Sequence, residues 1–224
     1  MHLKKMKNPN YTHTQEVWNS LTHLLGVLFS IAVTIIFIIV TTKKNLPFSV
    51  TYPLYIYTFT MFVVFFVSTF YHSMPLGSKV RSVSRVIDHS DIFLFVAGTY
   101  TPICLLGIAS FTTSLGIIIV EWVLAITGVL LTVFGFNHKA VRVICYIIYL
   151  LAGWALIFVY PFNQCLEFYT FLFTLLGGII YTIGAIIYAV GKKIIWFHTV
   201  FHLFILAGAI FQFIGVFNII NPMF

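Results

Sequence analysis

Residues 197–218, FHTVFHLFILAGAIFQFIGVFN, decide the fold. The run is long enough and apolar enough to cross a bilayer core, which takes about 20 residues of helix at about 1.5 Å rise each. Its only titratable residues are His198 and His202. Four residues apart, they share one face of a helix, one turn apart, and both can reach a single metal ion.

Six more runs of similar length precede it, at about 21–41, 51–71, 87–108, 115–135, 141–160 and 168–190. Breakers and charges fall between them: Lys43, Lys44 and Pro47, then residues 75–85, 137–139, 161–164 and 191–193. The chain is 61% hydrophobic and 8% charged, with a mean hydropathy of +1.06. A soluble domain devotes about a quarter of its residues to charge, so a water-soluble fold is excluded. The runs are continuous, without the apolar–polar alternation of a membrane barrel, and so predict helices. The expectation is an all-α integral membrane protein, a seven-transmembrane helix bundle over residues 21–224. Residues 1–20 form a short arm with a basic start but neither the apolar core nor the small-residue site of a cleaved signal.

The basic residues orient the bundle. With the N-terminus cytoplasmic, that side holds Lys4, Lys5, Lys7, Lys79, Arg81, Arg85, Lys139, Arg142, Lys192 and Lys193, and the outside only Lys43 and Lys44. This is the positive-inside bias, and seven crossings leave the C-terminus outside. The same bias accounts for the net charge of +7. No patch interleaves Lys or Arg with exposed aromatics, so no nucleic-acid partner is expected; anionic lipid suits the basic loops. Nothing indicates an oligomer. Cys104, Cys145 and Cys165 lack metal-type spacing and read as buried small residues, with a Cys104–Cys165 bridge near the outer face as the alternative.

That orientation, drawn from Lys and Arg alone, carries further candidates to the depth of His198 and His202. Ser68-x-x-x-His72 ends the second run and Asp88 opens the third. Three neutral imidazoles, His72, His198 and His202, suit Zn²⁺ and leave a fourth position for water. Asp88 is suited to accept a proton from that water, and Ser68 to hydrogen-bond the water or an oxyanion. Each residue alone has a plainer reading. An interfacial His needs no metal, Ser68 could pack helices, and Asp88 could cap its helix. The set favours the metal. Glu16, Asn19 and His23, at i, i+3 and i+7, line one stripe of the first helix; they would either steady Asp88 or a ligand histidine, or form a polar start with Asn19 as cap. Glu121 lies some way into the fourth run, where an ionisable residue is by default a functional candidate, but on the outer half beside Trp122 it can equally be an interfacial carboxylate, and it is left out of the site.

At these residues the chain resembles the haemolysin III family, within the progestin and adipoQ receptors that include the adiponectin receptors. The stretches that carry the likeness are EVWNSLTHLLG (16–26), STFYHSM (68–74), RVIDHSDIFLFVAGTYTP (85–102) and WFHTVFHLFILAG (196–208). The resemblance implies seven helices, a bacterial plasma membrane, and zinc towards the cytoplasm on His72, His198 and His202, with Ser68 and Asp88 beside it. The metal constellation is similar to that of alkaline ceramidases, which implies zinc-dependent hydrolysis of a lipid amide or ester. The haemolysin name implies membrane permeabilisation. The expected activity is therefore a zinc hydrolase with a membrane lipid as substrate or ligand. The alternative is a pore, or a lipid sensor or receptor, with structural zinc. Ion transport ranks last, because the ionisable residues gather on one side.

Overall fold

The computed structural model of the chain describes residues 11–157, 166–191 and 194–222. Among these, every regular element is helical: α1 (His13–Lys43), α2 (Phe48–Ser73), α3 (Lys79–Pro102), a π-helical turn at Ile103–Gly107, α4 (Phe111–Gly135), α5 (Lys139–Gly153), α6 (Phe168–Val190) and α7 (Phe197–Ile220). All but α5 are long and apolar enough to cross a membrane. The calls on Lys4, Lys5, Lys7, Cys165, Lys192 and Lys193 lie outside the described residues.

Local chemistry sets where the helices begin. Thr12 accepts the Gln15 N–H, and the Gln15 side chain accepts the Thr12 N–H, so α1 starts well ahead of its apolar run. Ser78 caps α3 by accepting the Arg81 N–H. The capping readings considered for Asn19 and Asp88 therefore do not hold, since both sit inside helices that other residues cap. Arg81 also departs from expectation. Placed by sequence among the loop cations, it lies in the first turn of α3 and is 0% exposed.

The fifth apolar run is helical from Lys139 to Gly153 and then breaks at Trp154. The Tyr100 hydroxyl spans the break, donating to the Gly153 carbonyl at 3.1 Å and accepting the Leu156 N–H at 3.2 Å. Trp154 Nε1 donates to Thr182 on α6. The two Tyr100 bonds satisfy backbone groups that the turn frees, and the indole bond ties the turn to α6.

The helices are amphipathic in the reverse of the soluble sense. On α1, Glu16, Asn19, Thr22, His23 and Ser30 are buried, while Leu21, Leu24, Leu25, Leu28 and Ile31 are exposed. An apolar outer face this extensive is stable against lipid, not water. In packing, α1 lies on α2, α2 on α3, α3 on α4, α4 on α5 and α6 on α7, and α7 returns against α1. The shared core includes Phe37, Leu54, Tyr57, Met61, Phe65 and Ile103, all fully buried. Gly26 makes room on α1 for Phe65 of α2, since an added Cβ would lie 2.1 Å from Phe65 Cδ1.

This ordering puts the N-terminus of α1, the C-terminus of α2 and the N-termini of α3 and α7 at one end. At the opposite end, Lys44 Nζ donates to the Ile220 carbonyl at 2.9 Å and to Asn221 Oδ1 at 2.8 Å, joining α1 to α7. There Glu167 caps α6 through the Tyr169 and Thr170 N–H groups and accepts from Asn218 Nδ2 at 2.5 Å.

Candidate metal centre

His72 lies in the last turn of α2, and His198 and His202 in the first turns of α7. Trp196, directly before α7, takes φ 76°, a left-handed conformation unusual for a bulky residue, as the chain turns into the helix that carries His198. One nitrogen from each of the three imidazoles lies within 4.8 Å of the others, so the cluster could hold a metal ion. His72 Nε2 is 3.2 Å from His198 Nε2, and His202 Nε2 is 3.0 Å from the same atom.

The far sides of the rings decide what those nitrogens carry. Glu16 Oε2 lies 2.7 Å from His72 Nδ1 and can only accept when ionised, so Nδ1 holds the proton and Nε2 presents a lone pair. Thr22 Oγ1 lies 2.9 Å from each of the Trp18 and Asn19 carbonyls and 3.2 Å from His202 Nδ1. Its one proton goes to a carbonyl, so it accepts from Nδ1–H, and His202 Nε2 is also a lone pair. Two lone pairs thus face His198 Nε2, which has at most one proton to offer. A cation completes this arrangement, and imidazole donors suit zinc among other transition metals.

The rest of the α1 stripe supports the same rings. Asn19 Oδ1 accepts from Thr199 Oγ1 at 2.6 Å, tying α1 to α7 between the two histidines of that helix. His23 packs on His202, with ring centroids 3.9 Å apart, and on Phe65 at 5.6 Å. Tyr11 stacks on His198 at 4.9 Å and 18°, and Tyr188 covers the same ring at 5.7 Å.

Ser68 is buried on α2 one turn before His72, and it hydrogen-bonds the partly buried Asp88 on α3. Arg85 is the nearby positive charge on Asp88. Asp88 also lies within electrostatic reach of Tyr11, Tyr71 and Tyr188, the tyrosines that pack on His198 and His72. The structure therefore gathers His72, His198 and His202 directly, brings Glu16, Asn19 and His23 behind them, and pairs Ser68 with Asp88.

Other site residues were not singled out by sequence. Thr22 falls on the Glu16–His23 stripe, and a search for hydroxyls on that stripe would have found it. Thr199 lies between the two histidines of α7. Tyr11 had no signal. Arg81 donates through Nη2 to Glu16 Oε1 and through Nη1 to the Tyr71 and Met74 carbonyls. Glu121 stays outside the centre: it is 1% exposed, and among the described residues neither carboxylate oxygen has a hydrogen-bond partner. Cys145 is buried as expected, 3.6 Å from Thr132 Oγ1.

Comparison with known proteins places this geometry in context. The family model described as Haemolysin-III related matches residues 11–213. The chain is 33% identical over 224 residues to Hemolysin-3 of Bacillus cereus, covering 98% of each chain. It is 32% identical over 207 residues to the Hemolysin-3 homolog of Bacillus subtilis (strain 168), covering 92% of this chain and 94% of the relative.

Proposed function

We propose, from the premise that the chain belongs to the haemolysin III family, that it is a seven-helix membrane hydrolase that holds zinc on His72, His198 and His202 and cleaves a lipid amide or ester. The convergence of the three Nε2 atoms, two of them lone pairs by their far-side partners, carries this reading. The seventh crossing would be supplied by α5. Lys79, Arg85, Lys139 and Arg142 fall at the histidine end and Lys43 and Lys44 at the other, which supports a cytoplasmic centre with the C-terminus outside.

Bound zinc would supply Lewis acidity towards a carbonyl and towards water. The remaining chemistry belongs to the chain. Glu16 and Thr22 hold the His72 and His202 rings by their Nδ1–H groups. Asp88, with the Ser68 hydroxyl orienting its carboxylate, takes a proton from the attacking water at a carboxylate oxygen. It then returns that proton to the leaving amine nitrogen or alkoxide oxygen. The apolar outer faces of the helices suit a substrate that arrives from within the bilayer.

The test is lipid mass spectrometry on vesicles holding the purified protein, beside Asp88→Ala. A fatty acid released by the native protein and absent with the variant supports the hydrolase. Equal release from both overturns the role of Asp88. No release from any amide or ester lipid, with zinc bound, overturns the hydrolase. The relatives' hemolysin name favours a second reading, membrane permeabilisation with structural zinc, for which dye leakage from sealed vesicles is the corresponding test.

A further inference from the structure

Arg81 is wholly buried, and its hydrogen bonds among the described residues go to partners other than the three histidines. Its backbone is anchored in the first turn of α3, where its N–H meets Ser78 Oγ at 3.1 Å. Its guanidinium reaches into two other elements. Nη1 donates to the Tyr71 and Met74 carbonyls, at 3.2 and 2.9 Å, at the end of α2, where the Tyr71 carbonyl also accepts the Met74 N–H. Nη2 donates to Glu16 Oε1 on α1, and the group lies over the Tyr71 ring, 4.7 Å from its centroid. Glu16 then uses its other oxygen, Oε2, for His72 Nδ1 at 2.7 Å. One side chain therefore holds both the carboxylate that turns the His72 ring and the peptide immediately before His72.

Resting on the zinc reading above, we infer that Arg81 is the positioning residue of the metal centre: through Glu16 it fixes His72 as the Nδ1–H tautomer, so that Nε2 faces the metal. The planar fork is what the role requires, because donors on two nitrogens diverge to α1 and α2 from one rigid group. A lysine keeps the charge but has no such fork, so it cannot hold both partners in this geometry. A plain staple between helices would tie the three chain ends together without setting the proton position on His72.

The experiment uses the full chain in nanodiscs, native and Arg81→Lys, which retains a positive charge beside Glu16 and so protects the fold. Nitrogen NMR of the metal-stripped, ¹⁵N-histidine-labelled protein reads the His72 tautomer, assigned by its loss in His72→Gln. Competition with a chromophoric chelator reads zinc affinity. The expected result is one Nδ1–H tautomer in the native protein and a mixture in Arg81→Lys. Zinc affinity should fall about 10- to 100-fold, as for other losses behind a ligand. Glu16→Gln should fall comparably, and the double variant should fall no further, because the two residues act in series.

A native tautomer and native affinity in Arg81→Lys, with only a lower melting temperature, would overturn the inference and leave a staple. So would affinity losses that multiply in the double variant. If the native protein binds no zinc while the tautomer still changes, the metal reading fails and the positioning role stands.

Discussion

The two ends of the bundle satisfy their polar groups in opposite ways. At the far end, among the described residues, Lys44 meets Ile220 and Asn221, and Glu167 meets the first N–H groups of α6 and Asn218, so these donors find acceptors. At the histidine end Arg81, Glu16, Thr22, Asn19 and Thr199 also pair, but Asn19 Nδ2, His23 Nδ1, Arg81 Nε and His198 Nδ1 are buried without a partner among the described residues. Yet that pairing turns lone pairs inward against each other. Protein–protein bonds join the elements at one end, and at the other three imidazoles are left where they could hold a metal ion. A site of this kind is recognised less by which residues are buried than by where their pairing stops.

Breaking the histidine end should have the largest effect. His198→Ala removes the nitrogen that both other rings face, and zinc retained after purification should drop from one per chain to trace, read by elemental analysis. Asp88→Ala is expected to keep zinc and to lose about 10²- to 10⁴-fold in lipid cleavage, the usual worth of a proton-transferring group. Gly26→Ala drives a methyl into Phe65, which supports His23; it should destabilise the protein by about 1–3 kcal/mol while leaving zinc stoichiometry at one. Asn218→Ala removes one partner of Glu167 at the far end. It should cost about 1 kcal/mol in a thermal melt and nothing in zinc affinity.

Acid sharpens the contrast further. Burial pushes the Glu167 carboxyl up, but the Tyr169 and Thr170 N–H groups, with Thr170 and Asn218, outweigh it and hold the group below its ordinary value. The folded value is thus lower than the unfolded one. The stabilisation is present above the unfolded value and is lost as pH falls through the folded value. On acidification, the Tyr169 and Thr170 amides should therefore lose protection from hydrogen exchange as Glu167 protonates, and Glu167→Gln should remove that pH dependence.

Much of this contrast is written in the residue types. Histidine and aspartate are costly inside apolar runs, so His198, His202, His72 and Asp88 stand out. The Glu16–Asn19–His23 spacing projects onto one face whatever the packing. Arg81 was concealed because an arginine near a span boundary also fits the positive-inside pattern, and its burial follows only once α3 begins at Lys79. The break in α5 was concealed because 141–160 reads as one apolar run, and a glycine in a lipid-facing helix signals nothing by itself. Thr22 and Thr199 were concealed because threonine in membrane helices commonly bonds its own backbone. Thr22 does so here too, while also receiving His202.

The central claim is that the three Nε2 atoms form a metal centre. X-ray absorption at the zinc edge, on the protein purified in detergent without added chelator, tests it most directly. The account predicts one zinc per chain with imidazole nitrogens at about 2.0–2.1 Å. A chain that retains no metal, or a metal with a sulfur or all-oxygen shell, would contradict it.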